Sequence, residues 1–368
     1  MRVGVDATAL VDPYSGIGCY LFHLLKELVV LRKDCVFYLY TASDERHLHF
    51  FKQCDNVIIR KKTLFSFWLS IWLQTTVAYC CWQEKLDVFW GPAQAVPLLK
   101  RKAMKSILTL HDFTYLLYPK TVPTKKCLFL RTFSRWIFKK SDQIISVSQG
   151  TANRLFQYYG LKFHSIIQPP LKPEIKFKEK KDSESLLVSH GLEYGNYVIS
   201  IGTLEPRKNF IKLIEFYLDI LSEQKNVVPL VIVGSGGWKN QKIIKTLENA
   251  QLAHPKQVKL LGHVSDDELS IYLSGAKHFL SFSCYEGYGI PIAEARICRT
   301  PIACFDIPEM REAAEEDGSF FNEKNMKEKM VPIFISKEDQ LVRKQKIDTN
   351  YLSNTAKASI LSEIISKF

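Results

Sequence analysis

Along the first half of the chain, short runs of consecutive apolar residues alternate with longer stretches whose apolar positions recur at helical spacing. The runs at 2–5, 36–40, 57–59, 88–90, 106–110 and 143–147 predict strands, and 18–31 and 122–140 predict helices. Continuously apolar strands separated by helices imply βαβ units, hence a parallel sheet covered on both faces. Residues 169–184, rich in Pro, Lys and Glu, have no apolar period and predict a linker running into a surface loop. A second series follows, with strands at 197–201, 229–233, 258–261, 278–281 and 302–305 and helices at 210–224, 266–275 and 292–298. The expected division is a first domain 1–168, a linker 169–184, a second domain 185–350 and a C-terminal helix 351–368. Two doubly wound domains leave a cleft, and ligands of open parallel sheets lie beyond the carboxyl ends of the strands. Chemistry is therefore expected in the residues just after each strand.

At 368 residues the chain is long enough for two cores. With 46% hydrophobic and 24% charged residues it has a globular balance, not a disordered one. Its nine cysteines include no C-x-x-C pair, which argues against a zinc ribbon or a disulfide scaffold and for free thiols in a reducing compartment. The N-terminal residues read directly into a strand, so no secretory signal and a cytoplasmic location are expected. The longest apolar stretch, 64–82, is interrupted by Gln74, Thr75 and Thr76. It falls short of the roughly 20 apolar residues of a membrane span and predicts a core helix with an aromatic face.

Charge adds a further feature. Residues 1–170 carry 23 Lys and Arg against 11 Asp and Glu, whereas the remainder carries 27 of each, so the whole formal excess of +12 lies in the first half. An anionic partner is expected there: a membrane surface, a glycan or nucleic acid. Phe65, Phe67, Trp68 and Trp72 beside Arg60, Lys61 and Lys62 suit a peripheral membrane contact. Nucleic acid is disfavoured because no RNA-binding signature or stacking motif accompanies the basic residues.

Four post-strand segments carry candidate chemistry. Gly16 and Gly18 follow the first strand at the start of a helix, where free N–H groups favour phosphate. His111 and Asp112 follow the strand at 106–110. Gly202-Thr203-Leu204-Glu205-Pro206-Arg207-Lys208-Asn209 follows the strand at 197–201, placing two cations before a helix, an anion site. After the strand at 278–281, Glu286 and Glu294 flank Gly287, Tyr288, Gly289, Ile290 and Pro291, a loop whose N–H groups can wrap a diphosphate. No D-x-D metal motif occurs, and Asp266-Asp267 reads as a helix cap, so neither a metal site nor a cofactor is expected.

The block from Glu286 to Glu294 resembles the E-x7-E signature of retaining glycosyltransferases of family 4, which have the GT-B architecture. GTLEPRKN, the LHD at 110–112, the glycine pair of the first loop and VGSGGW at 233–238 stand in that family's order, and the resemblance covers essentially the whole chain. It implies that Arg207 and Lys208 hold the diphosphate of a nucleotide sugar and stabilise the leaving group. Glu286 would face the donor sugar as a catalytic residue, with Gly287, Tyr288, Gly289 and Ile290 touching sugar and phosphate. Glu294 would bind the ribose hydroxyls, Gly16, Gly18 and Gly234 would line the donor, His263 would lie by the nucleobase, and His111 would stand near the reaction centre. The chain departs from the pattern at Thr203, where Arg is frequent, and at Arg299, where Gly is usual.

The resemblance further implies an α/β fold of two Rossmann-like domains facing a central cleft, with the C-terminal helix packed back on the first domain. The implied activity is metal-independent, retaining hexosyl transfer, mannosyl from a GDP-mannose type donor first and glucosyl from a UDP-glucose type second. The acceptor would be a glycan or a lipid-linked molecule of polysaccharide or lipopolysaccharide biosynthesis, met at the inner face of a membrane. Two alternatives stay open. A polyanion-binding or inactive GT-B scaffold would show steeply salt-dependent nucleic-acid affinity and no nucleotide-sugar binding. A GT-B sugar-nucleotide epimerase would need no acceptor and would invert the sugar at C2.

Overall fold

The computed structural model describes residues 1–11, 15–41, 48–61, 69–335 and 353–368. Seven strands form the first sheet: β1 (Arg2–Asp6), β2 (Val36–Thr41), β3 (Val57–Lys61), β4 (Val88–Gly91), β5 (Lys105–Leu110), β6 (Gln143–Ser146) and β7 (Ser165–Ile166). They run parallel in the order β3-β2-β1-β4-β5-β6-β7. The second sheet comprises β8 (Val198–Ile201), β9 (Leu230–Val233), β10 (Val258–Gly262), β11 (His278–Ser281), β12 (Ile302–Phe305) and β13 (Gly318–Phe321), parallel in the order β10-β9-β8-β11-β12-β13. Both are doubly wound sheets whose strand order reverses once, between β1 and β4 and between β8 and β11. Ligands of such sheets bind at those reversals. Every strand predicted from the apolar pattern is present, and β7 and β13 are additional.

The chain divides into two compact units. One contains Met1–Phe113, Leu128–Pro170 and the C-terminal helix; the other contains Thr114–Cys127 and the chain from Leu171 onward. In the first unit, helix Gly16–Leu31 buries Tyr20, Leu21, Leu24, Leu25 and Leu28, the stripe expected of an amphipathic helix. Helix Asn354–Ser366 packs against it through Leu361, Ile364 and Ile365. The Arg32 guanidinium donates to Ser362 O at 3.2 Å and Ser366 Oγ at 2.8 Å, and Lys357 Nζ donates to Pro169 O at 2.9 Å. The C-terminal helix thus packs back on the first unit, as the family resemblance implied.

The apolar segment after residue 68 is helical over Leu69–Gln83, with a π turn at Leu73–Val77. Trp72, Leu73, Val77, Cys80 and Cys81 are buried, while Tyr79 and Trp82 face outward. Among the described residues no helix is long and apolar enough to cross a membrane. Arg60 is engaged with Glu84 at 2.5 Å. Lys62, Phe65, Phe67, Trp68 and the start of the predicted tail helix at 351 lie outside the described residues.

In the second unit, helix Phe210–Glu223 turns Phe210, Leu213, Ile214, Tyr217 and Ile220 onto the sheet. Residues 169–184 differ from the expected surface loop, because Lys180–Ser189 is a helix packed on helix Asp266–Gly275. The stretch before it runs along that same helix. Lys172 pairs with Asp266 at 2.5 Å and Lys178 with Asp267 at 2.5 Å, while the N–H groups of Lys176 and Lys178 donate to Ser270 and Ser274. Polar pairing is added to the burial of Leu171 and Ile175 there, and those two apolar positions are too few to mark a period. The cap expected of Asp266-Asp267 is instead Ser265, in a capping box with Glu268. Arg299, just past helix Ile290–Ile297, adopts φ +56°, a conformation that glycine would take without strain. Its guanidinium lies 4.4 Å from the centroid of the Phe177 ring, a cation–π contact that offsets part of that cost.

Candidate active site

Beside the second unit's sheet reversal, the carboxyl ends of the strands are held by close backbone contacts. Gly202 N donates to Val233 O at 3.0 Å and Gly234 N to Gly262 O at 2.9 Å, tying together the carboxyl ends of β8, β9 and β10. A Cβ on Gly234 would stand 1.9 Å from Gly202 O, so this approach admits no side chain. Beyond Gly202 the chain enters a 3-10 turn, Pro206–Lys208, and then helix Phe210–Glu223. Beyond β11, residues 282–289 are fastened to that turn: Cys284 N donates to Arg207 O and Arg207 Nη1 to Tyr285 O, both at 2.8 Å. Gly289, at φ +108°, turns the chain into helix Ile290–Ile297.

These elements converge on one ionic cluster. Glu286 receives Arg207 Nη1 at 2.6 Å on one carboxylate oxygen and Lys208 Nζ at 2.7 Å on the other. Arg207 Nη2 also reaches Glu205 at 2.5 Å. Glu286 is only 8% exposed. Burial alone pushes its carboxyl up, but Arg207 and Lys208 outweigh burial and hold it at about 2, fully ionised at neutral pH. Two cations and two carboxylates balance within the cluster.

Glu294 has the opposite environment. It lies in helix Ile290–Ile297, is 5% exposed, and its carboxylate makes no hydrogen bond or ion pair among the described residues. Burial pushes it up to about 7, with Lys172 and Lys208 acting against burial and Asp266 with it. The folded pKa lies above the ordinary 4.5, so the folded state holds the proton more tightly. Stability is then full below pH 4.5 and is lost as pH rises towards 7. The shift corresponds to roughly 3 kcal/mol. Glu294→Gln should therefore melt with the native chain at pH 5 and several degrees above it at pH 8. Parallel melting curves across that range would show that Glu294 is not buried as a carboxyl.

The remaining candidates lie elsewhere. In the first unit His111 follows β5, and its Nε2–H donates to Pro92 O, just past β4, at 2.6 Å. Its ring stands edge-on to Tyr20, 5.0 Å between centroids, on the helix that begins at Gly16. The N–H of Gly18, expected to be free for phosphate, instead donates to Ser15 Oγ at 3.1 Å, which caps that helix. Gly234 sits at the end of β9, and His263 follows β10 and is exposed. Of the loop residues, Tyr288 is buried, and Gly287 and Ile290 are half-buried.

Sequence reasoning missed four residues around the cluster: Glu205, Lys172, Asp266 and Tyr118. Tyr118 stacks on Tyr285, ring centroids 6.4 Å apart and 18° between planes. Its segment is held by Trp238 Nε1 donating to Thr121 O and by Lys239 Nζ donating to Lys120 O at 2.7 Å and Val122 O at 3.0 Å. Only Glu205, two residues from Arg207, was recoverable from local spacing. Among the described residues no group of three or more His, Cys, Asp and Glu could hold a metal ion.

Residues 182–332 match the family model described as Glycosyl transferases group 1. The chain is similar to O-antigen chain mannosyltransferase B of Escherichia coli, 23% identical over 321 residues, 83% of this chain and 82% of that one. It is also similar to O-antigen chain mannosyltransferase RfbU of Salmonella typhimurium, 24% identical over 72% of this chain and 68% of that one. Among solved structures, Anabaena Alr3699/HepE in complex with UDP-glucose superposes over 100% of this chain and 99% of its own with a TM-score of 0.69 at 16% identity. WaaG, a glycosyltransferase involved in lipopolysaccharide biosynthesis, gives 0.67 over 91% of this chain and 90% of its own at 13% identity. The chain thus has the two-domain GT-B fold, and residues 182–332 of it match the group 1 glycosyl transferase model.

Proposed function

We propose that the chain is a retaining hexosyltransferase that moves a mannosyl group from a GDP-mannose type donor to a glycan or lipid-linked acceptor. Glucosyl transfer from a UDP-glucose type donor is the second choice. The observation that carries the reading is the ionic cluster at the sheet reversal, in which a buried carboxylate, Glu286, is shared by Arg207 and Lys208. A departing nucleoside diphosphate gains negative charge, and two positioned cations stabilise that charge without reorganising. As phosphate takes Arg207 and Lys208, Glu286 is released towards the sugar. Glu294, buried without an ion pair, is suited to accept hydrogen bonds from a diol such as ribose once ionised. The names of the O-antigen mannosyltransferase relatives support mannose over glucose.

A thermal-shift series tests the reading, because a ligand that binds only the folded chain raises its melting temperature. GDP-mannose, UDP-glucose, the free diphosphates and the nucleosides are compared in excess EDTA. The expected result is a shift with GDP-mannose and GDP, little with guanosine, and transfer activity that survives EDTA. Stabilisation by no nucleotide sugar removes the transferase reading; loss of activity in EDTA that magnesium or manganese restores removes only its metal independence.

A further inference from the structure

Four segments of the second unit are linked into a closed circuit that includes the ionic cluster. The turn 202–208 leans on the loop after β9: Leu204 N donates to Ser235 O at 3.2 Å, and a Cβ on Gly237 would stand 2.5 Å from Leu204 O. That loop ends in Trp238 and Lys239, whose side chains grip the segment Thr114–Cys127 at three consecutive carbonyls, those of Lys120, Thr121 and Val122. Lys239 does so from φ +56°, a left-handed conformation that is costly for a lysine. Thr121 hands the grip on to Tyr118, because its N–H and its hydroxyl both donate to Tyr118 O, at 2.9 and 2.7 Å. Tyr118 stacks on Tyr285, and Tyr285 O receives Arg207 Nη1, which returns the circuit to the turn where it began. Tyr285 is buried and stands directly before Glu286. Tyr118 is 37% exposed, so its ring buries less than a core residue does; what it contributes is geometry, a flat contact on the Tyr285 ring.

We propose that Tyr118 is a positioning residue: through Tyr285 it fixes the segment that carries Glu286, and with it the carbonyl that aims Arg207. In an open chain of loops each joint moves alone, and the displacements accumulate at the carboxylate. Closing the circuit makes the four segments shift together or not at all, the preorganisation that stabilising charge in a transition state requires. Removing the Tyr118 ring opens the circuit at the joint next to Glu286. Tyr285 then loses one wall, while Arg207 keeps Glu205 and Glu286 and Lys208 keeps Glu286. The charges stay paired, and their place is no longer fixed. The consequence for turnover rests on the transferase reading; the hold on the segment does not.

Cys284, half-buried and next to Tyr285, reports on that hold, and Cys304, buried in β12, reports on the fold as a whole. The full chain is alkylated with N-ethylmaleimide under native conditions, and each thiol is followed by peptide mass spectrometry. Tyr118→Ala should speed labelling of Cys284 about tenfold or more and leave Cys304 at its native rate. Tyr118→Phe, which keeps the ring, should restore the native rate at Cys284. Lys239→Met, which releases the other end of the segment, should act in the same direction and add little to Tyr118→Ala, since both open one circuit. In turnover, kcat of Tyr118→Ala should fall roughly 10- to 100-fold with donor KM within about threefold of native, and Tyr118→Phe should match the native chain. Unchanged labelling of Cys284 in Tyr118→Ala overturns the inference, as do equal gains at Cys284 and Cys304, which would make Tyr118 a matter of global stability. Labelling effects of the two variants that multiply would place Tyr118 and Lys239 in separate contacts and overturn it too, and native kcat alongside faster labelling would remove the positioning role. Faster Cys284 labelling in a chain that transfers from no nucleotide sugar would uphold the hold on the segment and remove the transferase reading instead.

Discussion

Glu286→Gln is expected to lower transfer by roughly two to four orders of magnitude while leaving nucleoside diphosphate affinity intact or tighter. Gln keeps the shape of the side chain but removes the charge that Arg207 and Lys208 share. Arg207 then keeps Glu205 as a carboxylate partner, while Lys208 loses the carboxylate it is paired with. Breaking a buried pair from one side costs about 3–5 kcal/mol, so the ligand-free variant should melt well below the native chain. A diphosphate supplies the missing negative charge, and its stabilising shift should therefore be larger in the variant than in the native protein. The measurement is a paired thermal-shift and turnover assay. Native turnover would remove Glu286 from the chemistry, and an unchanged diphosphate shift would separate Arg207 and Lys208 from the phosphate.

Lys208→Ala should act on the other half of the same exchange. One charge-assisted contact contributes about 1.5–3 kcal/mol, so nucleoside diphosphate affinity should fall roughly 10- to 100-fold while the bare nucleoside binds as before. Glu286 keeps Arg207 as a partner, so the fold should tolerate the change better than Glu286→Gln. Calorimetric titration of both ligands gives the comparison, and equal weakening of the two would mean that Lys208 does not touch phosphate.

The sheets were legible because buried parallel strands are continuous apolar runs with polar punctuation, and that pattern survives in a single chain. β7 was not, being two residues long, too short for any period to register. Helix Lys180–Ser189 was hidden for a different reason: the segment around it is held by lysine–aspartate and serine contacts across about 90 residues of sequence. The segment Thr114–Cys127 was assigned to the first domain because chain order was the only guide; its attachments to Trp238 and Lys239 are as distant again. At the site, residue types and spacing pointed to Arg207, Lys208, Glu286 and Glu294. What spacing could not reveal is that three of them are bonded to one another, or that two glutamates eight residues apart are driven to opposite ends of the carboxyl range. Those differences come from which cations lie within reach, a property of tertiary contacts.

The stacking of Tyr118 on Tyr285 bears on how chimeras of such proteins are cut. A recombinant joined near residue 170 takes Tyr118, Thr121 and the carbonyls that receive Lys239 from one parent, and Tyr285, Trp238 and Lys239 from the other. The residue next to Glu286 then rests on a ring chosen by a different lineage. Exchanging this cluster intact between relatives means moving two stretches of chain together, 114–127 with the region beyond 171, so the natural unit of inheritance for this site is discontinuous.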